Sequence, residues 1–439
     1  MNALVVGLER SGLASIELLR QRGAQVRATD TRPIAELPKA AETLERLAVP
    51  FEAQSPQVFE KCDWIVLSPG VPADLEPIEA ARQRGVKVIG EVELAGMFLE
   101  GRIIGITGSN GKTTTTAMVG HILKEAGIPA QVGGNIGTAV TAMVATSRPE
   151  QWNVLELSSF QLETIESFRA DIAVCLNVTP DHLDRHHTFE NYVAAKGRLF
   201  ETQRPGDYVV LNADDASCVA YSATTAGDPL WFSLSRAITP GLWLDNGRLW
   251  FDGELLMATS EIPIRGMHNV ENTMAAAGAA RLAGAQLQDI ARGVRSFRAV
   301  EHRLEFVRHV RGVDYYNDSK ATNVDATLKA LDAFDGGLWV ILGGKDKGSD
   351  YTLLADALRK KSRAILLVGA AGKKIAGQLK GIAPIVCAGT VDAAIRHAYT
   401  RATVGDTVLL APACASFDQF ENYEHRGRVF KQIVGELEG

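Results

Sequence analysis

Short apolar segments that end in Gly, Asp or Ser alternate with helix-like stretches along this sequence. Such alternation is typical of strand–helix–strand units, which assemble into parallel sheets. The segments of the first two series lie at residues 4–7, 25–30, 64–70, 102–108, 152–157 and 171–178. The sequence therefore predicts an α/β fold built on parallel sheets.

A third series of apolar segments predicts another parallel sheet, at residues 339–344, 364–369, 385–387 and 407–411. Before it, "WLDNGRLWFDG" (residues 243–253) places Asp-Asn-Gly between two aromatic-rich runs, which favours an antiparallel hairpin. A chain of 439 residues is long enough for three domains. We place these domains at residues 1–92, 93–298 and 299–439.

The composition is that of an ordinary globular protein, with 46% hydrophobic and 22% charged residues. The formal charge of -6 and the lack of a long Lys/Arg run make nucleic acid an unexpected partner. No apolar run reaches the roughly 18 residues of a membrane span, and no signal-peptide pattern opens the chain. We therefore expect a cytoplasmic protein whose five widely spaced cysteines are reduced.

The stretch "GITGSNGKTTTTAM" (residues 105–118) follows an apolar run and opens a helical one. Backbone N–H groups on such a turn, with the helix dipole, favour a polyphosphate. A strict P-loop requires glycine at position 106, which is Ile106, so the match is to a shorter variant. Lys112 is predicted to contact the β- and γ-phosphates and Thr113 a magnesium ion; the alternative is a glycine-rich turn with a solvated lysine.

Two further features follow the next predicted strands. Glu156 stands in an apolar strand, where a carboxylate needs a metal or a cationic partner, so it is a candidate Mg2+ ligand or half of an ion pair. The segment after the strand at 171–178 contains several acidic and histidine residues. It is either a ligand site at the strand's carboxyl end or a solvated charged loop. These residues are Asp181, His182, Asp184, His186 and His187.

Lys196 falls in the apolar stripe of a predicted helix for which Thr188 suits the N-cap. A lysine on such a face either extends outward to solvent or loses its proton because desolvation lowers its pKa. Helix periodicity alone favours the outward position.

Near the N-terminus, "VVGLERSG" (residues 5–12) has the form of a dinucleotide-binding turn, but Glu9 stands where the fingerprint requires glycine. Glycine at that place lets a pyrophosphate approach the backbone most closely. Glu9 therefore argues against a nicotinamide-dependent oxidoreductase.

Seven motifs in this chain resemble those of the Mur ligases, in the same order and at about the same spacing. They span all three proposed domains and read "TGSNGKTT", "LELSSFQL", "DHLDRH", "AKGRLF", "MHNVENTMAAA", "EHRLE" and "DSKATN". The second and last most resemble the members that add D-glutamate. The resemblance implies a UDP-binding Rossmann-like domain, a central P-loop ATPase-like domain with added antiparallel strands, and a C-terminal Rossmann-like domain for the incoming amino acid.

The implied reaction is a cytoplasmic step of peptidoglycan precursor synthesis. ATP phosphorylates the alanyl carboxylate of UDP-N-acetylmuramoyl-L-alanine, and the D-glutamate amine attacks the acyl phosphate to form an amide. A carboxylate that attacks a phosphoryl group needs its charge neutralised, which accounts for Mg2+ and Lys112. Alternatives are another Mur ligase, a folylpolyglutamate synthase-like amide ligase, which would lack a separate UDP-binding domain, and a catalytically silent nucleotide-binding protein.

The resemblance also implies residue roles. The catalytic residues would be Lys112, Glu156, His182 and Lys196. Thr113 and Glu156 would bind one Mg2+, and His182 and Lys196 would bind a second. Lys196 would carry a carbamate formed from CO2. The resemblance thus implies a buried, modified Lys196 rather than the outward position favoured by periodicity. ATP would be bound by Gly108, Ser109, Asn110, Gly111, Lys112, Thr113, Thr114, Asn269, Asn272, His302, Arg303, Asp318 and Lys320.

The two substrates have their own implied sets, and we expect the protein to act as a monomer. Asn135, Ser158 and Asn177 would either contact the muramoyl-alanine portion or order the loops around it. The UDP-substrate set is Gly7, Leu8, Ser11, Gly12, Asp30, Thr31, Arg32, Ser68, Gly70, Asn135, Ser158, Asn177 and His182. The D-glutamate set is Thr322, Lys347, Ser416, Asn422 and Tyr423.

Overall fold

A computed structural model describes residues 1–298 and 300–438 of the chain. It forms two compact units, Met1–Glu261 with Glu271–Ser296, and Ile262–Val270 with the chain from Phe297 onward. The predicted boundary at 92 falls within a helix of the first unit, and the one at 299 lies outside the described residues. The division into three domains stays a prediction.

The first sheet is four-stranded and parallel, with strand order β2-β1-β3-β4. Its strands are β1 (Asn2–Val6), β2 (Gln25–Thr29), β3 (Trp64–Leu67) and β4 (Lys87–Gly90). Its helices are α1 (Arg10–Gln21), α2 (Pro38–Arg46), α3 (Glu76–Gln83) and α4 (Glu91–Gly96). The predicted parallel sheet at the N-terminus is confirmed.

The second sheet, also in the first unit, has the order β13-β12-β11-β10-β9-β8-β5-β7-β6. It is parallel from β6 to β11, and β12 and β13 are added antiparallel. The predicted hairpin is confirmed, since Trp243 pairs with Trp250. The strands are β5 (Arg102–Thr107), β6 (Ala130–Gly134), β7 (Trp152–Glu156), β8 (Ile172–Cys175), β9 (Tyr208–Asn212), β10 (Asp228–Ser233), β11 (Gly241–Asp245), β12 (Arg248–Phe251) and β13 (Glu254–Ala258).

The helices that accompany this sheet include α9, whose predicted N-cap is confirmed because Thr188 Oγ1 accepts a hydrogen bond from the Asn191 amide. They are α5 (Lys112–Glu125), α6 (Val140–Met143), α7 (Ser159–Leu162), α8 (Leu183–His186), α9 (Phe189–Glu201), α10 (Ala216–Tyr221), α11 (Met267–Leu282) and α12 (Leu287–Ser296). One apolar cluster joins the two sheets of this unit: Ala3 and Val5 of β1 belong to it together with Leu155 of β7.

The sheet of the second unit has the order β14-β15-β19-β16-β17-β18. The predicted parallel series is confirmed, but β14 adds an antiparallel edge that the sequence pattern did not predict. The strands are β14 (Glu305–Val310), β15 (Val313–Asn317), β16 (Leu338–Gly343), β17 (Ser362–Val368), β18 (Ile385–Gly389) and β19 (Thr407–Leu410). The helices are α13 (Val324–Asp332), α14 (Ala355–Lys361), α15 (Gly372–Gln378), α16 (Val391–Arg401) and α17 (Tyr423–Gly435).

All five cysteines are free thiols, as predicted. Among residues 1–298 and 300–438, no helix combines the length and the apolar character needed to cross a membrane. In each sheet the carboxyl ends of the parallel strands lie at one edge. The turn after β1, the predicted phosphate loop after β5 and the segment of His182 after β8 leave from there.

Candidate active site

The turn after β1 is held by Asp30, which follows β2. The Leu8 amide donates to Asp30 Oδ2 at 2.8 Å, and the Arg32 amide and Nε donate to Oδ1 at 3.0 and 3.2 Å. Burial alone would raise the pKa of Asp30, but these hydrogen bonds lower it. Arg32 Nη2 also donates to Glu9 Oε1 at 2.8 Å, so the residue in place of the fingerprint glycine is half of an ion pair.

A cavity of about 640 Å³ opens beside this turn. Most of the residues predicted to contact the UDP-substrate line it: Gly7, Ser11, Asp30, Thr31, Arg32, Ser68, Gly70 and Asn135. Four polar residues that were not predicted for this site also line the cavity: Glu9, Arg10, Gln54 and Gln161. Gln161 could have been found, because it lies in the quoted "LELSSFQL", whereas no motif points to Gln54.

Leu8 and Gly12 support the turn rather than line the cavity. Leu8 is buried and acts through its amide. A Cβ at position 12 would lie 1.9 Å from the Gly7 carbonyl oxygen, so helix α1 can approach the turn this closely only with glycine there. Ser68 Oγ donates to the same carbonyl at 2.7 Å.

The predicted phosphate loop connects β5 to α5. Gly111 adopts a φ of 90°, a conformation that favours glycine, and a Cβ there would lie 2.2 Å from Asn272 Oδ1, so the Asn272 side chain would have to shift. Asn177 fastens the loop: its Oδ1 accepts from the Asn110 amide at 2.9 Å and its Nδ2 donates to the Asn110 carbonyl at 3.1 Å. Ser109 Oγ donates to the Thr179 carbonyl at 2.9 Å.

Two lysines share one carbonyl oxygen of this loop. Lys112 Nζ and Lys196 Nζ donate to the Gly108 oxygen at 2.8 and 2.9 Å. Lys196 is 1% exposed, and its ammonium lies 4.6 Å from the centre of the Tyr192 ring. The outward position favoured by periodicity is therefore wrong. Burial lowers the pKa of Lys196 to about 7, and the charge of Lys112 contributes to the shift.

Glu156 ends β7 next to the strand that enters the phosphate loop, since it pairs with Ile106. Its Oε1 accepts from Asn135 Nδ2 at 2.9 Å. Its Oε2 is buried and has no hydrogen-bond donor in the part of the chain that the structure describes. A buried carboxylate oxygen without a donor is costly, so this atom fits a cation.

His182 begins α8 with a left-handed backbone, φ 53°. Its ring packs edge-on against Phe160, with the ring centres 4.8 Å apart. Desolvation lowers the pKa of His182, and the positive charges of Lys112 and Lys196 lower it further against the opposing charge of Asp181. The neutral imidazole that results is the form that binds metals.

Ser158 uses its polar groups within the chain, as Asn177 does. Ser158 caps α7 in a reciprocal arrangement with Gln161, whose amide donates to Ser158 Oγ at 3.3 Å. Neither Ser158 nor Asn177 is among the residues that line the cavity. Their contacts favour loop ordering, one of the two roles predicted for them.

The predicted magnesium ligands suit Mg2+ rather than a metal that needs a full protein cage. Among the described residues, no group of three or more His, Cys, Asp or Glu side chains could hold a metal ion. Magnesium commonly takes one or two protein oxygens and completes its shell with water and phosphate. Thr113 and the Oε2 atom of Glu156 fit this chemistry. Lys196 fits it only as an anion, since an ammonium repels a cation.

Within the second unit, four residues predicted to bind ATP lie close together. His302 Nδ1 lies 2.9 Å from Asn317 Nδ2, and the His302 carbonyl accepts from the Lys320 amide at 3.1 Å. Desolvation raises the pKa of Asp318 to about 7, and the charge of Arg303 opposes this shift. Asn269, also predicted to bind ATP, donates from Nδ2 to the Arg265 carbonyl at 2.6 Å.

The residues predicted to bind D-glutamate lie on loops of the same unit and at the start of helix α17, whose first residue is Tyr423. The loops of Lys347 and Ser416 are joined by a hydrogen bond from the Lys345 amide to the Ala415 carbonyl at 2.8 Å. Lys347 is exposed and Ser416 buried. Asn422 caps α17 by accepting from the His425 amide at 2.7 Å, and the Thr322 amide donates to the Lys320 carbonyl at 2.8 Å.

Tyr423 connects the two predicted sites of this unit. The Lys320 ammonium lies 3.9 Å from the centre of the Tyr423 ring. The Tyr423 carbonyl accepts from Ser319 Oγ at 2.8 Å. Tyr423 and Thr322, predicted to bind D-glutamate, therefore both contact Lys320, which is predicted to bind ATP.

Three family profiles match the chain, one for each proposed domain. They are the Mur ligase MurD-like N-terminal domain at residues 1–90, the Mur ligase middle domain at 106–280, and the Mur ligase glutamate ligase domain at 302–414.

Two relatives that align with nearly the whole chain carry the same name. The chain is 65% identical over 438 residues to the UDP-N-acetylmuramoylalanine–D-glutamate ligase of Solibacter usitatus, covering 100% of this chain and 98% of the relative. The protein of that name from Acidobacterium capsulatum is 52% identical, with 98% and 95% covered. A pseudomurein peptide ligase type C from Methanothermus fervidus shares the fold, with a TM-score of 0.63 at 18% identity and 100% of both chains covered.

Proposed function

Because this chain belongs to the Mur ligase family, we propose that it joins D-glutamate to UDP-N-acetylmuramoyl-L-alanine in an ATP-dependent reaction of peptidoglycan precursor synthesis. The reaction passes through an acyl phosphate on the alanyl carboxylate. The reaction takes place in the cytoplasm, and the protein acts as a monomer.

The main structural support for this proposal is the position of Asn135. This residue lines the 640 Å³ cavity and donates from Nδ2 to Glu156 Oε1 at 2.9 Å. The cavity assigned to the UDP-substrate therefore reaches, through one side chain, the carboxylate assigned to Mg2+. A substrate held in the cavity can then extend its acyl end toward the phosphate loop.

The chain's own residues have distinct tasks. Lys112 leaves the Gly108 carbonyl to contact the transferred phosphoryl group, where a fixed cation stabilises developing charge. Thr113 and Glu156 would hold one Mg2+, and His182 with a carbamate on Lys196 would hold a second. When bound, these ions neutralise the phosphate oxygens and so permit attack by a carboxylate.

The lowered pKa of Lys196 supports the carbamate, because only a neutral amine takes up CO2. The Lys196 ammonium first releases one proton; the neutral Nζ then forms a bond to the carbon of CO2 and releases a second proton, so that a buried cation becomes a buried carbamate anion. Such an anion is satisfied by Mg2+, whereas the ammonium competes with Lys112 for one carbonyl.

We assign the remaining residues by their clusters. The residues around the turn after β1 bind the uridine diphosphate, and Asp30 and Arg32 fix that turn. In the second unit, Asn269, His302, Arg303, Asp318 and Lys320 bind ATP. D-glutamate is bound by Thr322, Lys347, Ser416, Asn422 and Tyr423.

The decisive experiment measures ADP release from the purified protein with ATP, Mg2+ and UDP-N-acetylmuramoyl-L-alanine. D-glutamate is compared with L-glutamate, L-alanine, L-lysine and diaminopimelate. Release that requires D-glutamate is the expected result. Release with another amino acid would overturn the assigned acceptor, and no release with any of them would overturn the ligase. Light scattering tests the monomer.

A further inference from the structure

Arg185 lies on helix α8, whose N-cap is His182, and its side chain reaches the loop after β3. Its Nη2 donates to the Val71 carbonyl at 2.8 Å, and Val71 lines the 640 Å³ cavity. The same nitrogen donates to Glu163 Oε2 at 2.7 Å, and Nε donates to Glu163 Oε1 at 3.3 Å. One guanidinium therefore holds the loop after β3 against the segment after α7.

The other side of Arg185 connects to the His182 ring. The guanidinium carbon lies 5.1 Å from the centre of the Phe160 ring, and that ring packs edge-on against His182 with centres 4.8 Å apart. The Arg185 amide also donates to the His182 carbonyl at 3.0 Å. His182 has a left-handed backbone, a conformation that persists only where neighbouring contacts hold it.

The side chain of Arg185 is only 13% exposed, and its ion pair with Glu163, whose side chain is 16% exposed, is correspondingly shielded from water. Arginine offers a rigid fork of donors, which lets one side chain hold a carboxylate and a carbonyl at once. Lysine cannot reproduce that geometry. A movement of the Val71 loop must therefore either break the hydrogen bond from Arg185 to the Val71 carbonyl or shift the guanidinium that packs on Phe160.

We propose that Arg185 is a positioning residue that couples occupancy of the cavity by the UDP-substrate to the orientation of the His182 ring. The inference rests on the proposed function, because it takes the cavity as the substrate site. Binding at the cavity moves the Val71 loop, Arg185 follows its carbonyl partner, and the Phe160 ring transmits the movement to His182.

The first test uses histidine NMR on the full-length protein without ATP or metal. The nine histidines are isotope-labelled, and the H182Q spectrum identifies the His182 signal. In the wild type, saturating UDP-N-acetylmuramoyl-L-alanine should shift that signal. In R185Q at saturation, the shift should fall to less than a third of its wild-type size.

The second test separates binding from turnover. R185Q should weaken binding of the UDP-substrate about tenfold and lower kcat about tenfold, since a charge-assisted hydrogen bond is lost. The KM for ATP should change less than twofold. R185K keeps the charge but not the fork and should restore less than half of the NMR shift.

Arg82 offers a matched control. It donates to the Ala73 carbonyl at 3.0 Å and pairs with Glu79. R82Q therefore loses a carbonyl hydrogen bond and an ion pair, as R185Q does, but leaves the contact between Arg185 and Phe160 in place. R82Q should keep the His182 shift and kcat at wild-type values.

Each result has a separate meaning. If the wild type does not bind the UDP-substrate, the proposed function fails. If it binds but the His182 shift is absent, or is equal in R185Q and the wild type, the coupling alone is overturned. Should R185Q not fold, F160L serves instead: it leaves every hydrogen bond of Arg185 in place, and we expect normal binding with a reduced shift. An undiminished shift in F160L would overturn the coupling.

Discussion

Two turns of the first unit share one backbone arrangement, a strand followed by a glycine turn and a helix, but differ in the charged side chains around them. After β1, the chain passes Gly7 and enters α1; after β5, it passes Gly108 and Gly111 and enters α5. The first turn is enclosed by a network of Asp30, Arg32 and Glu9 in which positive and negative groups are paired. At the second turn, two ammonium groups share one carbonyl oxygen.

The difference lies in what each turn still requires. The paired charges of the first turn leave a shaped cavity that selects a ligand mainly by fit and hydrogen bonding. The second turn concentrates positive charge, which a bound anion relieves, as expected for a polyphosphate site. A strand–glycine–helix pattern therefore indicates where a phosphate can bind, whereas the side chains beyond the pattern decide which ligand does.

The largest effect is expected at Lys112. K112M removes the cation that we assign to the phosphoryl group, and kcat should fall about 10³-fold because such a group acts in the transition state. Steady-state ADP release measures this effect. K124M, at an exposed lysine of the same helix, is the matched control and should retain normal activity. A loss below tenfold in K112M would contradict the assigned role of the second turn.

Glu156 should show a smaller effect that depends on metal. E156Q keeps the shape of the side chain but removes the charge of the Oε2 atom, so half-maximal activity should need about 10- to 100-fold more Mg2+. A magnesium titration of ADP release measures this change. E166Q, at an exposed glutamate, should leave the titration unchanged. An unaltered Mg2+ requirement in E156Q would show that Oε2 is not a ligand.

Lys196 should make stability depend on pH in buffer free of CO2. Its pKa falls from 10.5 to about 7 on folding, so the unfolded chain binds more protons between these values and stability rises with pH across that window. K196M removes the free-energy cost of burying a protonated lysine. Its Tm should exceed the wild-type Tm by a few degrees at pH 7, and the difference should narrow toward pH 10.

Calorimetry at several pH values makes the Lys196 comparison, with K124M as the exposed-lysine control. A K196M protein that is less stable than the wild type by the same amount at every pH would mean that Lys196 stabilises the fold through its hydrogen bond to Gly108. Its charge would then have no measurable penalty.

The smallest effect is expected at Glu9. E9G restores the fingerprint glycine but removes an exposed ion pair with Arg32, which contributes less than about 1 kcal/mol. The KM for the UDP-substrate should rise about two- to threefold, and no NADH binding should appear in a fluorescence titration. E9Q, which removes the charge without adding backbone freedom, should match E9G. NADH binding by E9G but not by E9Q would mean that the side chain of Glu9 is what separates this turn from a dinucleotide-binding turn.

Sequence patterns predicted the parts of the fold that depend on local composition. The apolar segments at 4–7 and 102–108 became β1 and β5, and Asp-Asn-Gly at 245–247 became the turn between β11 and β12. Strand β14 was not predicted, because its residues do not form a continuous apolar run: Glu305, Arg308 and His309 interrupt it at an exposed edge.

The candidate site was harder to predict, for a physical reason. Periodicity places Lys196 on the buried face of α9 but says nothing about acceptors beyond the helix, and the Gly108 carbonyl, 88 residues away, is what allows the ammonium to stay inside. Likewise, Gln54 lines the cavity although its neighbours in sequence form no motif. Contacts between distant segments decide both cases.

The close packing at Gly12 has a consequence for mutational tolerance. In a screen of all substitutions scored by growth or activity, position 12 should be as intolerant as a ligand-binding residue. Yet it presents no side chain to the cavity, and any Cβ would meet the Gly7 carbonyl oxygen at 1.9 Å. A parallel screen for folded protein would separate the two causes: substitutions at Gly12 should lower abundance, whereas substitutions at Thr31 should lower activity alone.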